Sequence, residues 1–392
     1  MKQYDLAIVG AGILGTFAAY HAVQRGWSVL LLESGMEAKG ASVRNFGQLV
    51  PSGMGLNGWR NIGARTIHHL TEINKSTPLP WKKNGSLYVA SDEQELQLLE
   101  EMQQLNDAQG YASRLLSVNE CCELSQPLNK AYAKGGLFFP DDATTESPKL
   151  LATLLQFIIQ SGRCDYRNGS LVQTVEENDS GCSLRTTDNT IYRARDVLVC
   201  CGHQLNRLFP AILQTPAMRI CKLQMMDTLA SSQVKLHCNL LTGLSIRRYD
   251  AFHSCASYAN LITSEYQQQL QAEGIHLLFT QRADGSLIIG DSHHYTNALD
   301  VDSLDYHNDQ HINQLILTEA QRILGVDTLP INRFWNGYYS QHDNSILATS
   351  IQKNIHAVTG IGGKGMTCSG GFTELVIEQL TKQQSLDLIN IV

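Results

Sequence analysis

The sequence lacks long apolar runs, abundant proline and an excess of positive charge, and its composition is that of a packed globular protein. No apolar run approaches the roughly 20 residues that span a bilayer, so we expect a soluble protein without a membrane span. Proline is scarce, with 9 residues among 392, and 43% of residues are hydrophobic against 17% charged, which excludes extended disorder. The formal net charge is -7, so an excess of positive charge that would attract nucleic acid is also missing.

The sequence also lacks the spacings that mark disulfide frameworks, metal sites and hydrolytic triads. The 10 cysteines include two adjacent pairs but no C-x-x-C, and the N-terminus has no charged region, apolar stretch and cleavage site of a secretory leader. We therefore expect reduced thiols and a cytoplasmic protein. There is no G-x-S-x-G or H-E-x-x-H motif, and the histidine spacing gives no coherent ligand set, so we expect no metal.

The N-terminal residues form a nucleotide-binding pattern. An apolar run at residues 6–9 predicts a buried parallel strand, G-x-G-x-x-G follows at residues 10–15, and a helical stretch leads to a second strand that ends at Glu33. In this pattern the glycines allow a tight turn and close approach of a pyrophosphate, and the helix N-terminus stabilises its charge. Glu33 stands where an acid bonds a ribose hydroxyl, which favours an unphosphorylated ribose but does not separate NAD from FAD.

Further segments follow in a characteristic order. They are a small and polar stretch at 42–48, a buried strand ending near Gly202, a hairpin and strand at 284–293, and a glycine-rich stretch at 359–367 followed by helix-like sequence from about residue 371. With the N-terminal pattern, they make the whole chain resemble the D-amino acid oxidase-like FAD-dependent oxidoreductases, which include glycine and sarcosine oxidases. The resemblance implies an α/β fold, with a Rossmann-like FAD domain of the glutathione reductase type and a mixed-sheet α+β substrate domain.

The resemblance also implies a set of FAD contacts. In this family the late glycine-rich segment closes over the flavin, and the positive end of its helix stabilises negative charge near the reduced pyrimidine ring. The backbone of Val172 is expected beside adenine. The expected cofactor-binding residues are Gly10, Gly12, Ile13, Leu14, Gly15, Glu33, Ser34, Ser42, Arg44, Asn45, Gly47, Val172, Cys201, Gly202, Gly360, Gly362, Gly363, Gly365, Met366 and Thr367.

Three shorter stretches resemble one branch of that family. Residues 44–47, 290–293 and 362–367 are similar to proteins associated with aminoalkylphosphonate breakdown, which implies oxidation of 2-aminoethylphosphonate or its N-methyl form. The chain departs from better-known relatives at 333–339, where Tyr339 replaces the arginine of W-x-G-x-R that pairs with a substrate carboxylate. The cysteine that links flavin covalently in some sarcosine oxidases has no counterpart at 335–340, so we expect non-covalent FAD.

The expected domains are discontinuous. Residues 1–80, 145–210 and 335–392 would form the FAD domain, and residues 81–144 and 211–334 the substrate domain. Ser147 is expected to cap a helix with Pro148 in its first turn.

The expected reaction is hydride transfer from a small primary or secondary amine to flavin N5, followed by hydrolysis of the imine to an aldehyde or keto acid. It needs positioning more than acid–base groups, so no catalytic side chain is assigned. A dianionic phosphonate would be held by arginine with tyrosine or histidine. The candidate substrate-binding residues are Arg44, His293, Arg333, Tyr338, Tyr339 and Lys364, with the pair Arg247 and Arg248 as weaker candidates.

Several alternatives stay open at this point. The chain could be a glycine, sarcosine or D-amino acid oxidase, or a flavin dehydrogenase that passes electrons to an acceptor other than oxygen. An NAD-dependent dehydrogenase and an FAD-containing binding protein without turnover are further readings, because a fold does not by itself determine a function. The expected partners are the small substrate and oxygen or another electron acceptor.

Overall fold

A computed structural model describes residues 2–231 and 233–387 of the chain. Its α-helices are, in chain order, α1 (Ile13–Gln24), α2 (Trp59–Asn74), α3 (Glu93–Gln109), α4 (Val118–Leu124), α5 (Ser147–Gln160), α6 (Gly243–Ile246), α7 (Glu265–Ala272), α8 (Gln310–Leu324) and α9 (Gly365–Thr381).

The strands of the first half of the chain are β1 (Gln3–Val9), β2 (Val29–Leu32), β3 (Gln48–Leu49), β4 (Trp81–Lys82), β5 (Ser86–Ala90), β6 (Arg114–Leu116), β7 (Ser125–Gln126), β8 (Gly135–Phe139), β9 (Ala143–Thr145), β10 (Cys164–Arg167), β11 (Val172–Asn178), β12 (Gly181–Thr186) and β13 (Ile191–Val199). Those of the second half are β14 (Met218–Thr228), β15 (Lys235–Leu236), β16 (Asn239–Leu241), β17 (Leu278–Gln281), β18 (Leu287–Gly290), β19 (His294–Asn297), β20 (Ile331–His342), β21 (Leu347–Gln352) and β22 (Ile355–Thr359).

The first large sheet is built around the N-terminal strand. It has 8 strands in the order β10-β2-β1-β13-β12-β11, with β22 beside β13 and β21 beside β22. Strands β1 and β2 are parallel and joined by the crossover helix α1, and β2 is buried along its whole length. A strand buried on both faces must be apolar throughout, which is why residues 29–32 read Val-Leu-Leu-Leu. The nucleotide pattern therefore lies at the centre of this sheet.

The second large sheet has 9 strands in the order β19-β14-β18-β17-β16-β5-β8-β6, with β20 also paired to β14. Its pairings are antiparallel except that of β16 with β5, so the expected α/β class with a second, mixed sheet is confirmed. The long strand β20 belongs to this sheet, and the expected domain boundary at residue 335 falls inside that strand.

Two local expectations are wrong. The last helix begins at Gly365, within the glycine-rich segment, and not near residue 371. Glycine is a poor helix former, but α9 packs so closely on α2 that a Cβ at Gly371 would lie 2.2 Å from the carbonyl oxygen of Ile62, so tertiary packing overrides propensity. Helix α5 begins at Ser147 with Glu146 at its N-cap, because the Ser147 hydroxyl donates to Asn45 Oδ1 instead of capping the helix.

Two further expectations concern the whole chain. All 10 cysteines are free thiols. Within residues 2–231 and 233–387, no helix is both long and apolar enough to cross a membrane.

Candidate active site

A large cavity is lined by residues from both large sheets. Its volume is about 1010 Å³, at the upper end of the roughly 300–1,000 Å³ typical of small-molecule sites. One end is formed by the β1–α1 turn and Glu33, and the lining continues through the start of α9 to Arg248, His276 and Asp291. The cavity therefore has the volume for a dinucleotide together with a small substrate.

The β1–α1 turn forms the nucleotide end of the cavity. Gly10 has a φ of 102°, which favours glycine, and a Cβ at Gly15 would lie 2.0 Å from the carbonyl oxygen of Gly10. The side chain at Gly15 must therefore be absent for the helix to start this close to the strand. The hydroxyl of Ser42 accepts a hydrogen bond from the Ile13 amide at 2.9 Å, which ties the 41–44 segment to the start of α1.

Glu33 is held in place by backbone donors at the end of β2. Its Oε2 accepts from the Ala11 amide at 2.9 Å and its Oε1 from the Gly35 amide at 3.0 Å, and the Ser34 hydroxyl also donates to Oε1. Each carboxylate oxygen has further acceptor capacity. The carboxylate is thus fixed at the cavity wall and can still accept from a ribose hydroxyl.

Arg44 and Asn45 hold the loop that follows. The Arg44 guanidinium donates to the carbonyl oxygens of Lys39 and Asn336, at 2.8 and 2.9 Å. Asn45 donates through Nδ2 to two carbonyls of its own loop and accepts through Oδ1 from the Gly47 amide and from Ser147. Both residues line the cavity, but much of their hydrogen-bonding capacity is used to shape it.

Most of the expected cofactor residues line this one cavity. They are Gly10, Gly12, Ile13, Leu14, Glu33, Ser34, Ser42, Arg44, Asn45, Val172, Cys201, Gly202, Gly360, Gly362, Gly363, Gly365 and Met366. Gly15, Gly47 and Thr367 lie behind the wall and support it: Gly15 against Gly10, Gly47 against Thr145, and Thr367 through a hydrogen bond from the Val50 amide to its hydroxyl.

The expected substrate residues divide between the cavity and the surface. His293, Tyr338, Tyr339 and Lys364 line the cavity. The Tyr338 hydroxyl donates to the Asp305 carbonyl, and Lys364 pairs with Asp250 at 3.1 Å.

The expectation that Arg333 binds the substrate is corrected by its position outside the cavity. Its side chain is 61% exposed, lies outside the cavity lining, and pairs with Asp227 at 2.8 Å. It stands near the beginning of β20, whereas that strand reaches the cavity wall only from Gly337 onward.

Arg247 and Arg248 are adjacent in the sequence, but one is buried in an ion-pair cluster and the other lines the cavity. Arg247 is buried behind the wall and pairs with Glu95 at 2.5 Å and Asp92 at 2.7 Å. Arg248 lines the cavity and donates to the Tyr295 hydroxyl at 3.1 Å, and no carboxylate of the described residues lies within ion-pair distance of it. Arg248 is therefore a cation available to a ligand, whereas Arg247, the other weaker candidate from the sequence, is not.

Asp291 and His276 also line the cavity and received no role from the sequence. Burial raises the pKa of Asp291 to about 8, against the opposing effect of Arg248. Burial lowers the pKa of His276 well below its ordinary value, as it does for His293. The sequence did contain a reason to consider Asp291. His293 was already a candidate, and residues two positions apart in an extended chain point to the same face. His276 had no such signal.

The residues present fit the expected FAD. The sterically tight β1–α1 turn, a fixed carboxylate at the end of β2 and the N-terminal end of α9 all face one cavity, and each provides what a dinucleotide needs at that point. The donors are backbone amides and the fixed acceptor is Glu33, a set suited to a pyrophosphate and an unphosphorylated ribose.

Comparison with known proteins agrees with this geometry. A family model described as DAO, FAD dependent oxidoreductase, matches residues 5–379. The chain is 25% identical over 192 residues to the mitochondrial pyruvate dehydrogenase phosphatase regulatory subunit of Mus musculus, and 26% over 200 residues to its mitochondrial sarcosine dehydrogenase. It is 24% identical over 218 residues to glycine oxidase of Geobacillus kaustophilus (strain HTA426). These matches cover 48%, 49% and 53% of this chain, and 22%, 20% and 56% of the three relatives.

The fold also matches solved structures. A crystal structure of glycine oxidase from Geobacillus kaustophilus superposes with a TM-score of 0.77 at 18% identity, covering 99% of this chain and 97% of that one. At this level of identity the likeness concerns the fold.

Proposed function

The chain belongs to the DAO family of FAD-dependent oxidoreductases, and from that premise we propose that it oxidises a small amine that carries an anionic group. The first candidates are 2-aminoethylphosphonate and its N-methyl form. The proposal rests on one observation above the others: Arg248 faces the cavity without a carboxylate partner in the described residues, next to the buried carboxyl group of Asp291. A ligand with one anionic and one cationic end is complementary to that pair.

The groups around Arg248 favour an anion with several acceptor oxygens. Tyr295 accepts a hydrogen bond from Arg248, and Tyr339 lines the cavity close to Arg248. Burial raises the pKa of Tyr339 well above its ordinary value, so its hydroxyl stays protonated and remains a donor. Tyr339 stands where better-known relatives carry the arginine that pairs with a substrate carboxylate, so at this position the wall offers a neutral hydrogen-bond donor and the cation comes from Arg248.

The chain's own residues would position both ligands. Backbone amides at the starts of α1 and α9 would hold the cofactor, and Glu33 would accept from its ribose. When bound, FAD supplies the two-electron acceptor for the C–H bond that is oxidised. Arg248 and Tyr339 would bind the anionic end of the substrate, and the cavity wall around Leu278 and Met225 would exclude water from the reacting carbon.

We propose that FAD is bound without a covalent link. Cys200 and Cys201 both line the cavity, and burial raises the pKa of each thiol, that of Cys201 to about 12, which disfavours the thiolate needed for attachment. Denaturation of the purified protein in acid should therefore release all of its yellow colour into the soluble fraction. Colour that stays with the precipitated protein would contradict this.

The substrate proposal is tested by anaerobic mixing of the purified holoenzyme with single amines. The panel is 2-aminoethylphosphonate, its N-methyl form, glycine, sarcosine and D-alanine, and the readout is loss of the flavin's visible absorbance. We expect fast loss with the phosphonates and at least tenfold slower loss with the carboxylates. Faster reduction by a carboxylate would make the chain an amino acid oxidase or dehydrogenase, and no reduction by any amine would favour a protein without turnover.

The electron acceptor is decided by a second step of the same experiment. Admitting air to the reduced protein should restore the visible absorbance within seconds if the chain is an oxidase. Restoration over many minutes, accelerated by an added quinone, would indicate a dehydrogenase.

A further inference from the structure

Three buried side chains converge at one point of the cavity wall. His276 precedes β17, while Asp291 and His293 lie between β18 and β19, and all three line the cavity. The Nε2 atom of His276 lies 3.3 Å from Asp291 Oδ1, and that of His293 lies 3.7 Å from Asp291 Oδ2. Backbone hydrogen bonds in both directions join His276 and Asp291, so the cluster is built into the sheet.

The hydrogen bonds around His276, Asp291 and His293 determine which of their atoms are left as acceptors. His293 Nδ1 lies 3.0 Å from the Gly274 carbonyl, which only accepts, so Nδ1 carries the proton and Nε2 presents a lone pair. His276 Nδ1 and the Leu277 carbonyl each lie 3.3 Å from the Ser245 hydroxyl. When that hydroxyl donates to the carbonyl, His276 Nδ1 carries the proton and its Nε2 is an acceptor as well. Asp291 Oδ1 is buried and, among the described residues, has no hydrogen-bond donor.

A buried set of unmatched acceptors is costly unless a donor enters it. One proton on Asp291 would satisfy only one of the neighbouring nitrogens, whereas an alkylammonium group brings two or three N–H donors and a positive charge. The residue types also suit a divalent cation, but Arg248 faces the same part of the wall and would repel one. A zwitterion avoids this repulsion, because its own anionic end pairs with Arg248.

We propose that His276, Asp291 and His293 bind the ammonium group of the substrate and that Asp291 takes up the proton which the amine must lose before oxidation. This inference rests on the proposed function, since it assumes an amine substrate. The N–H bond of the ammonium breaks and an O–H bond forms on Asp291, so a cation and an anion become a neutral amine and a neutral carboxylic acid. No electrons change hands in this step.

The surroundings of Asp291 suit this role. Burial raises the pKa of the unliganded Asp291 to about 8, so the carboxyl group exchanges its proton near neutral pH. The charge of an entering ammonium group favours the carboxylate form, which then accepts the proton of the amine. The titratable groups that face it from the elements packed around it are Arg248, Tyr249, Cys221, His276, His293 and Tyr339. Of these only Arg248 is charged near neutral pH, because burial keeps the tyrosines, the thiol and both imidazoles in their neutral forms.

The first test is the pH profile of anaerobic flavin reduction in Asp291→Asn, with the reduction rate at saturating substrate measured between pH 6 and 10.5. We expect a loss of about 10²- to 10⁴-fold at pH 7, the usual range for removal of a general base. The loss should shrink by about tenfold per pH unit up to roughly pH 10, where alkylamines lose their proton without help. A loss that stays constant across the pH range would overturn the proposal, because it would indicate a purely structural effect.

His294→Gln is the matched control. His294 neighbours His293 in sequence but pairs with Glu273 and does not line the cavity. Its reduction rate and pH profile should equal those of the unmodified protein within about twofold. An equal loss in both variants would count against a specific role for Asp291.

The second test measures binding without turnover. Ethylphosphonate lacks the ammonium, and 2-amino-2-methylpropylphosphonate lacks the hydrogen that would be transferred, so both can be titrated by the change in flavin spectrum. Asp291→Asn should weaken the amino compound at least tenfold and change ethylphosphonate by less than threefold. Equal weakening of the two compounds would overturn the ammonium site.

The failures of the two proposals are separable. If glycine or D-alanine reduces the flavin and the phosphonates do not, the substrate proposal fails, and both tests are repeated with that amine and its amine-free acid. Elemental analysis of the purified protein gives the remaining outcome. A stoichiometric divalent metal that is lost in Asp291→Asn, together with inactivation by a chelator, would replace the ammonium site by a metal site.

Discussion

Two polar clusters lie around the adjacent residues Arg247 and Arg248 at the end of α6, and they differ in how many of their hydrogen-bonding and charged groups find partners within the chain. In the first, Arg247 pairs with Glu95 and Asp92, and the side chains of Arg247 and Glu95 are only 2% and 0% exposed. Glu95 also accepts from the amide and the hydroxyl of Ser91. In the second, Arg248 has the Tyr295 hydroxyl as its hydrogen-bond partner, and Asp291 Oδ1 has no donor in the described residues.

The difference separates a cluster that is satisfied within the chain from one that retains capacity to bind a ligand. A buried charge whose partners all come from the chain stabilises the fold and has nothing left to offer a ligand. A buried charge without such partners costs stability, and the cost is recovered when a complementary ligand enters. Adjacent arginines of identical chemistry thus have opposite roles because of what surrounds them.

The largest expected effect breaks the satisfied cluster. Arg247→Met should lower the free energy of unfolding by about 3–5 kcal/mol, because it leaves Glu95 buried without its cation. Thermal or urea unfolding of the holoenzyme measures this. Arg114→Met, which removes an exposed pair with Glu120, is the control and should cost at most about 1 kcal/mol. Similar losses in the two variants would remove the distinction.

The next effect concerns the unsatisfied cluster. Arg248→Met should weaken the best substrate by about 2–4 kcal/mol, or roughly 30- to 1,000-fold in kcat/KM, while unfolding changes by less than about 1 kcal/mol. Steady-state kinetics and unfolding of the same preparation give both numbers. Arg248→Lys keeps the charge and should recover part of the activity. A large loss of stability with unchanged kinetics would reverse the roles assigned to the two arginines.

A smaller effect is expected from pH. Because burial raises the folded-state pKa of Asp291 to about 8, its contribution to stability is fully present below its unfolded pKa near 4 and is lost as pH rises through about 8. Asp291→Asn cannot ionise, so its stability relative to the unmodified protein should improve by about 2 kcal/mol from pH 6 to pH 8. Unfolding at a series of pH values without substrate tests this, and a difference that is flat with pH contradicts it.

The smallest effect is expected from substitution of Lys364, which shares one property with each arginine: it has a carboxylate partner, as Arg247 does, and it lines the cavity, as Arg248 does. It lines the cavity but already pairs with Asp250, and its side chain is 20% exposed. Lys364→Met should change kcat/KM by less than about fivefold and unfolding by at most about 1 kcal/mol. A loss as large as that of Arg248→Met would show that Lys364 leaves Asp250 to bind the substrate.

Prediction from the sequence succeeded where contacts are local. The strand, glycine turn, helix and Glu33 lie within the first part of the chain, and the residues of this region that line the cavity are Val9, Gly10, Gly12, Ile13, Leu14 and Glu33. It was less successful where tertiary packing decides: α9 starts six residues earlier than the glycines suggested, and Ser147 gives its hydroxyl to Asn45 instead of capping α5. The sequence also predicted a substrate contact at Arg333, which pairs with Asp227 away from the cavity, and predicted no role for His276.

The sequence by itself determined the family and the nucleotide end of the cavity. The physical reason is that a phosphate site is made of consecutive backbone amides and glycines, so its requirements are written in one short stretch. Only the tertiary structure decided the other end of the cavity, where Arg248, His276, Asp291 and Tyr339 come together from separate segments of the chain. Their roles depend on which neighbours already satisfy their charges, and the order of residues along the chain does not contain that information.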